Sequence, residues 1–338
     1  MNKTTLHRAR INKKDEFYTC YKDIEKEMQY YITHLKDKIV YCNCDNPRYS
    51  AFWKYFHINF SKLSLKELRA SYLSFSEKNY AYIYRGGNDA NIEECERIEI
   101  NGDGDFQCEA CRELLRTSDI IITNPPFSVF REYVALLIQY KKDFIIIGNQ
   151  NALTYKEIFP LVKNNKIWYG ASIHSGDRTF IVPDSYPLEA AGCGITVHGE
   201  KFIRVKGVRW FTNVEYKDRY KRLILTCKYD PSKYPFYDNI DAINVDKVSD
   251  IPMDYNGIMG VPITFFDKYN PKQFEILGCT ANPESNDVKK RKRSDKACRL
   301  IKEGRLKGAK CVGGNSNIYI DEDNYVHVIY HRLLIRRK

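Results

Sequence analysis

The chain has 338 residues and a mass of 39.7 kDa, enough for one large domain and a smaller one. Its 43% hydrophobic and 29% charged content is that of a soluble globular protein, and it has no run of about 18 apolar residues, so no membrane span is expected. A formal charge of +11 directs attention to anionic partners.

The opening stretch MNKTTLHRARINKKDEF has basic residues but no apolar core and no small-residue cleavage site. It is not read as a signal peptide, and a cytoplasmic location is expected. Eleven scattered cysteines do not form a secreted disulfide framework. Cys42 and Cys44, with Cys108 and Cys111, offer four thiols, but neither pair has a partner at finger-like spacing. Reduced thiols and no metal are expected.

After DEFYT (15–19), charged and aromatic residues at helical spacing predict a helix over 22–34. DKIVYCNC (37–44) predicts a short buried strand ending at the turn formers Asp45-Asn46-Pro47, and RYSAFWKYF (48–56) a helix after it. LKELRASYLS (65–74) and ERIEINGDGDF (96–106) are strand-like, and QCEACRELLR (107–116) has helical spacing. DIIITNPPF (119–127) is a strand and its stop; FREYVALLIQY (130–140) is an amphipathic helix. DFIIIGNQ (143–150) predicts a strand and TYKEIFPLVKNN (154–165) a helix.

Strands alternating with helices indicate an α/β fold: a mostly parallel central sheet flanked by helices. Ligands of such sheets sit at the carboxyl ends of strands. Asp45, Asp105 and Asn124 all fall at predicted strand ends, which places them on one rim. After about Thr212 the pattern changes. YDPSKYPFYDNIDAINV (229–245) is turn-rich and aromatic, and GIMGVPITFF (257–266) predicts an isolated strand broken by Pro262. A boundary near 216 therefore separates 1–215 from an irregular region, 216–338. Charge concentrates between 284 and 310, where 11 Lys/Arg stand against 4 Asp/Glu, net +7, including the unbroken run Lys289, Lys290, Arg291, Lys292, Arg293. Such a patch suits a phosphate backbone. Arg204, Arg209 and Lys217 are read as further exposed basic positions.

IITNPPFSVF (121–130) ends an apolar strand with a polar residue and two prolines, which forbid further pairing. As plain structure it is a strand-ending turn. As chemistry, the Asn124 side-chain carbonyl and the Pro125 backbone carbonyl are two rigid acceptors suited to an amino group with two hydrogens. A ring at Phe127 could stack on the planar base that carries it.

NPPF is similar to the catalytic motif of exocyclic-amino DNA methyltransferases. With DEFYT, VYCNCDNPR, GDGDF, LTYKEIF, NKIWYG, FIVP, DAINV and DYNGIMGVPITF, the chain resembles the EcoRI-type adenine-specific methyltransferases from about residue 8 to 278. The resemblance implies a Rossmann-like methyltransferase domain over 1–215 that binds S-adenosylmethionine, and a DNA-recognition region over 216–338. It implies that Asn124, Pro125, Pro126 and Phe127 take the target adenine, the first two binding its amino group. Asp105 would accept from the amino group of the cofactor's adenine, with Phe106 beside its ring. Phe17, Tyr18 and Thr19 would close over its methionine end, and Asp45 would face its aminium, since CNCDNP stands where most methyltransferases carry a Gly-rich loop with an acidic residue. No acidic residue after LRASYL is assigned to the ribose.

The implied activity is adenine-N6 methylation of a base flipped from double-stranded DNA, by a monomer working beside a restriction endonuclease or as a solitary or phage counterpart. Methylation of RNA adenine or of protein glutamine stays open, as does a non-catalytic DNA-binding relic of the fold.

Overall fold

The computed structural model describes residues 17–73, 78–102, 104–184, 186–188, 192–308 and 317–338. Asp15 and Glu16 of DEFYT, Asp103 of GDGDF and residues 309–310 of the basic segment lie outside them. The chain divides into two compact units. One runs to Ala152 and resumes over Ile167–Tyr216; the other comprises Leu153–Lys166 and Lys217–Lys338.

The first unit begins with β1 (Tyr18–Thr19), α1 (Tyr21–Met28), α2 (Ile32–Leu35) and β2 (Ile39–Cys42). Then come α3 (Ala51–Ile58), α4 (Phe60–Leu63), β3 (Glu67–Ala70), β4 (Tyr80–Tyr84) and β5 (Glu96–Glu99). Next are α5 (Glu109–Arg116), β6 (Ile120–Thr123), α6 (Phe130–Gln139) and β7 (Asp143–Asn149). The unit ends with β8 (Trp168–Tyr169), β9 (Arg178–Ile181), β10 (Gly194–Ile195), β11 (Lys201–Val205) and β12 (Val208–Thr212).

Eight of these strands form one sheet in the order β5-β4-β3-β2-β6-β7-β12-β8. Parallel pairing joins β3 to β2, β2 to β6 and β6 to β7. The outer strands β4, β5, β12 and β8 all pair antiparallel. The sheet is therefore mixed rather than mostly parallel. A parallel return needs a crossover of about a dozen residues or more. Helices α3–α4 and α6 supply it between the central strands, whereas β3, β4 and β5 follow one another over shorter connections. The YAYIY run of β4, buried except at Tyr80, has no counterpart among the predicted elements.

Burial explains the centre. All four residues of β6 are buried, as is Phe144–Gly148 within β7, which is what strands covered on both faces require. Ser50 caps α3: its Oγ accepts from the backbone N–H of Phe52 (3.1 Å) and Trp53 (3.2 Å). Phe52, Trp53 and Phe56, at most 1% exposed, pack in one core with Ile120, Ile145 and Trp210. Each such side chain contributes about 1.5–3 kcal/mol.

The helix predicted over 22–34 is two helices, because the chain breaks at 29–31 to bury Tyr31. The Tyr31 hydroxyl donates to Glu27 Oε1 (3.0 Å), and the fully buried Glu27 also accepts the backbone N–H of Ala171 (2.8 Å) and Ser172 (2.7 Å). Burial raises the Glu27 carboxyl, and these hydrogen bonds oppose the rise. A second, antiparallel sheet runs β1-β9-β11-β10, with Tyr18 opposite Ile181 and Thr19 opposite Phe180.

In the other unit, α7 (Phe159–Lys163) is shorter than the predicted helix. After it come β13 (Ile243–Asn244), β14 (Met259–Pro262), β15 (Phe274–Cys279) and α8 (Asp295–Lys302). The last strands are β16 (Leu306–Gly308), β17 (Asn317–Ile320), β18 (Val326–Ile329) and β19 (Arg332–Arg337). The strand expected to stand alone, β14, is instead internal to the sheet β13-β14-β19-β15, because the buried Leu333–Ile335 of β19 pair with it. A three-stranded sheet, β16-β18-β17, packs Ile318, Val326 and Val328 against Ala297 and Leu300 of α8. Among the described residues no helix is long and apolar enough to cross a membrane.

Candidate active site

Strand β2 lies between β3 and β6, so the chain leaves it toward one side and returns on the other. The carboxyl ends of strands at such a switch point are where open α/β sheets bind ligands. Just past β2 stand Asn43 and Asp45, just past β3 Ser71 and Tyr72, and just past β6 Asn124.

Asp45 ties this rim together. Its N–H donates to the Ser71 carbonyl (3.2 Å), its Oδ1 accepts from Ser50 Oγ (2.7 Å), and its Oδ2 accepts from the hydroxyl of Thr123. It is 7% exposed. Burial pushes its carboxyl up to about 6, while the Thr123 and Ser50 hydroxyls hold it down.

At the end of β6, Pro125 and Pro126 stop the ladder, and a short 3-10 turn, Phe127–Val129, leads into α6. Asn124 Nδ2 donates to the Phe17 carbonyl at 2.5 Å, which fixes the amide. Its Oδ1 is buried without a hydrogen-bond partner. Such an acceptor costs about 1–3 kcal/mol unless a ligand satisfies it. Pro125 beside it is buried. The Phe127 ring meets Phe17 edge-on (5.5 Å, 74°) and Phe180 at 6.5 Å and 90°. Phe17 thus reaches the Asn124 corner with both its carbonyl and its ring. Tyr18 lies 6.3 Å from the ring of Tyr49, and the buried Thr19 leaves Oγ1 without a hydrogen-bond partner.

Asp105 does not stand at a strand end, since β5 closes at Glu99 and the intervening residues leave the sheet. It comes to the rim because Gly104 (φ +75°) backs so closely onto the Tyr72 carbonyl that a Cβ there would collide with it. Asp105 is buried, its Oδ1 accepting the Gln107 N–H at 2.7 Å. Phe106, 3% exposed, meets the ring of Tyr133 edge-on at 5.1 Å. The Tyr133 hydroxyl donates in turn to Asn43 Oδ1. Asn43, which the sequence reading passed over, is 1% exposed, and its Nδ2 has no hydrogen-bond partner. Its only sequence signal is a polar residue directly after a buried strand.

The basic run belongs to the other unit. Lys289, Arg291 and Lys292 are exposed, with the Arg291 guanidinium 3.8 Å from Asp241. Lys290 and Arg293 are half-buried, and burial, then the Arg293 charge, lowers the Lys290 ammonium. Arg204 and Lys217 are exposed as expected. Arg209 is not: it is 3% exposed, because its guanidinium donates inward to the carbonyls of Val208 (2.8 Å) and His174 (2.9 Å). Among the described residues no group of three or more His, Cys, Asp or Glu is placed to hold a metal ion.

A family model described as adenine-specific methyltransferase EcoRI matches residues 5–338, and so extends through the tail after 278 that the motif resemblance left out. The chain is 48% identical over 297 residues to the type II methyltransferase M.EcoRI of Escherichia coli, covering 84% of this chain and 91% of that protein. It is 38% identical over 283 residues to the type II methyltransferase M.MgeORF184P of Mycoplasma genitalium (82% and 87% covered). To M.MpnI of Mycoplasma pneumoniae it is 37% identical over 282 residues (82% and 86%). No solved structure matches the chain.

Proposed function

Because the chain belongs to the EcoRI family of adenine-specific methyltransferases and is a DNA adenine methyltransferase of restriction-modification type, we propose that its Asn124 corner methylates the N6 amino group of an adenine extruded from duplex DNA. The observation that carries this reading is the buried, unpartnered Oδ1 of Asn124, held in place by the bond from Nδ2 to Phe17.

In the duplex the adenine amino group is engaged in pairing, so the base must leave the stack to reach a pocket. Its lone pair is delocalised into the ring, which makes the nitrogen a poor nucleophile. Hydrogen bonds from its two hydrogens to Asn124 Oδ1 and the Pro125 carbonyl favour a pyramidal nitrogen and free that pair. Both acceptors strengthen their hold as the nitrogen becomes positive, which stabilises the transition state over the ground state. Phe127 stacks on the extruded base and Pro126 fixes the turn that presents it.

Family membership implies a methyl donor, and the residues present fit S-adenosylmethionine: the rim offers the buried carboxyl of Asp45, and Thr19 of β1 carries a hydroxyl without a hydrogen-bond partner. Asp45 would face the aminium, Phe17, Tyr18 and Thr19 the methionine end, and Asp105 with Phe106 the adenine. When bound, this cofactor supplies a methyl group already activated on a sulfonium, so none of the eleven cysteines is needed as a nucleophile. Residues 216–338 would read the site in DNA, with the basic segment on phosphates, and the enzyme would work in the cytoplasm.

DNA from a host without adenine methylation of its own that expresses the chain, digested for mass spectrometry and read in parallel by single-molecule sequencing, should contain N6-methyladenine, and at one sequence. Unmodified adenine, or N4-methylcytosine in its place, defeats the proposal.

A further inference from the structure

We infer that Cys108 and Cys111 form a redox-active dithiol, a modification site that a low-molecular-weight disulfide oxidises and whose oxidation weakens cofactor binding. The last step rests on the cofactor reading above, which gives the adjoining bend at 104–106 its ligand.

Cys108 is the N-cap of α5 and Cys111 lies in its first turn. Two cysteines three residues apart at the start of a helix have the spacing of thiol–disulfide exchange sites. Disulfides join Cα atoms about 4.4–6.8 Å apart, which residues so placed in a first helical turn satisfy. The two side chains are hydrogen-bonded to each other and share one apolar cluster with Ala81 and Ile100. Both thiols are free in the structure. Access to them differs: Cys108 is half-buried, whereas Cys111 is fully buried. Burial pushes the Cys111 thiol up to about 12, which keeps it protonated and makes it the second to react.

The exchange balances without any further reactant. The Cys108 sulfur, giving up its proton, attacks one sulfur of the small disulfide and expels the other half, which takes up a proton and leaves as a thiol. Cys111 then attacks the Cys108 sulfur of the mixed disulfide, loses its own proton, and expels the second half as a thiol. Two electrons pass from the protein to the small disulfide, and one S–S bond replaces another.

The pair holds the bend at 104–106 from both ends. Cys111 Sγ donates to the Gly104 carbonyl (3.7 Å) and lies 3.6 Å from Ser71 Oγ, just past β3. The Cys108 N–H donates to the Asp105 carbonyl (2.9 Å). Gly104 is the residue whose positive φ, close against the Tyr72 carbonyl, brings Asp105 to the rim. A disulfide sulfur has no proton to donate. Oxidation therefore removes the Cys111 bond to Gly104 and loosens the turn that presents Asp105 and Phe106.

The test equilibrates the purified chain with an excess of oxidised glutathione, maps disulfides by differential alkylation and peptide mass spectrometry, and titrates S-adenosylhomocysteine by calorimetry. A Cys108–Cys111 disulfide should form, weaken S-adenosylhomocysteine by about threefold or more, and release both effects on reduction with dithiothreitol. Cys108→Ser should bind as the reduced parent does and ignore glutathione. Cys111→Ala, which lacks the donor, should show the weakened affinity without any oxidant. Both cysteines staying open to alkylation, glutathione held on Cys108 with no internal disulfide, or a disulfide that leaves affinity unchanged overturns the inference. A reduced parent that binds no S-adenosylhomocysteine overturns the cofactor reading instead, and with it the effect assigned to the disulfide.

Discussion

Asn124 donates its side-chain N–H to the backbone carbonyl of Phe17, 107 residues earlier in the chain, at 2.5 Å. Phe17 directly precedes β1, which is paired to β9, so a second sheet fixes the rotamer of a side chain at the tip of the first. An amide with its nitrogen anchored has its oxygen aimed. This is how an acceptor is preorganised for charge that develops only in the transition state.

Asn124→Ala removes that acceptor and leaves the Asp45 and Asp105 sides intact. Methyl transfer, measured with a labelled methyl donor, should fall by about 10²–10³ or more. Affinity for S-adenosylhomocysteine should stay within a few-fold. Turnover near that of the parent would take Asn124 out of the chemistry.

Phe127 meets Phe17 and Phe180 edge-on and is itself half-buried. Stacking on an extruded base is worth about 1–3 kcal/mol, so Phe127→Ala should raise the DNA dissociation constant about 5- to 150-fold. Fluorescence of 2-aminopurine at the target position, bright when unstacked from its neighbours, should change with this substitution and recover with Phe127→Tyr. An unchanged signal would mean that the ring serves only the aromatic cluster.

Asp45 makes stability depend on pH in a definite direction. Its folded pKa of about 6 lies above the ordinary value of 3.8. Below about pH 4 both states are protonated and no penalty exists. As pH rises from 4 to 6 the unfolded chain ionises first, so stability falls, by roughly 3 kcal/mol in total from that shift. Asp45→Asn should therefore gain on the parent in urea denaturation between pH 4.5 and 7.5, whatever its offset at either end. If Asp45 faces the cofactor's aminium, S-adenosylhomocysteine should also bind the parent more tightly as pH rises through 6, and the variant should lose that trend. Parallel stability curves would mean that Asp45 is not held protonated by burial.

Much of the first unit was legible because its central strands announce themselves. The apolar runs of β2, β6 and β7 are buried on both faces, and two prolines after Asn124 leave no way for β6 to continue. Pattern failed where a distant partner decides the outcome. The break between α1 and α2 follows from Glu27, which takes backbone N–H groups 144 and 145 residues away. Arg209 looks solvated in sequence, yet turns inward onto two carbonyls. Asp105 reaches the rim through a glycine pressed on Tyr72 rather than along a strand. Asn43 escaped notice because an unsatisfied donor is a property of packing, not of spacing.

The basic run gives a test in the other unit. In sequence it is five equal charges; in the fold Lys289 and Lys292 are exposed, Arg291 lies near Asp241, and Lys290 and Arg293 are half-buried. Each phosphate contact contributes about −0.9 to the slope of log Kobs against log salt. Changing Lys289 and Lys292 to Gln should make the slope for duplex DNA shallower by up to about 2 without lowering the melting temperature. Lys290→Gln should move the slope less, because that side chain is half-buried. The pattern separates a phosphate clamp from a solvated loop: in a loop that does not touch DNA, the double variant would leave the slope where it was.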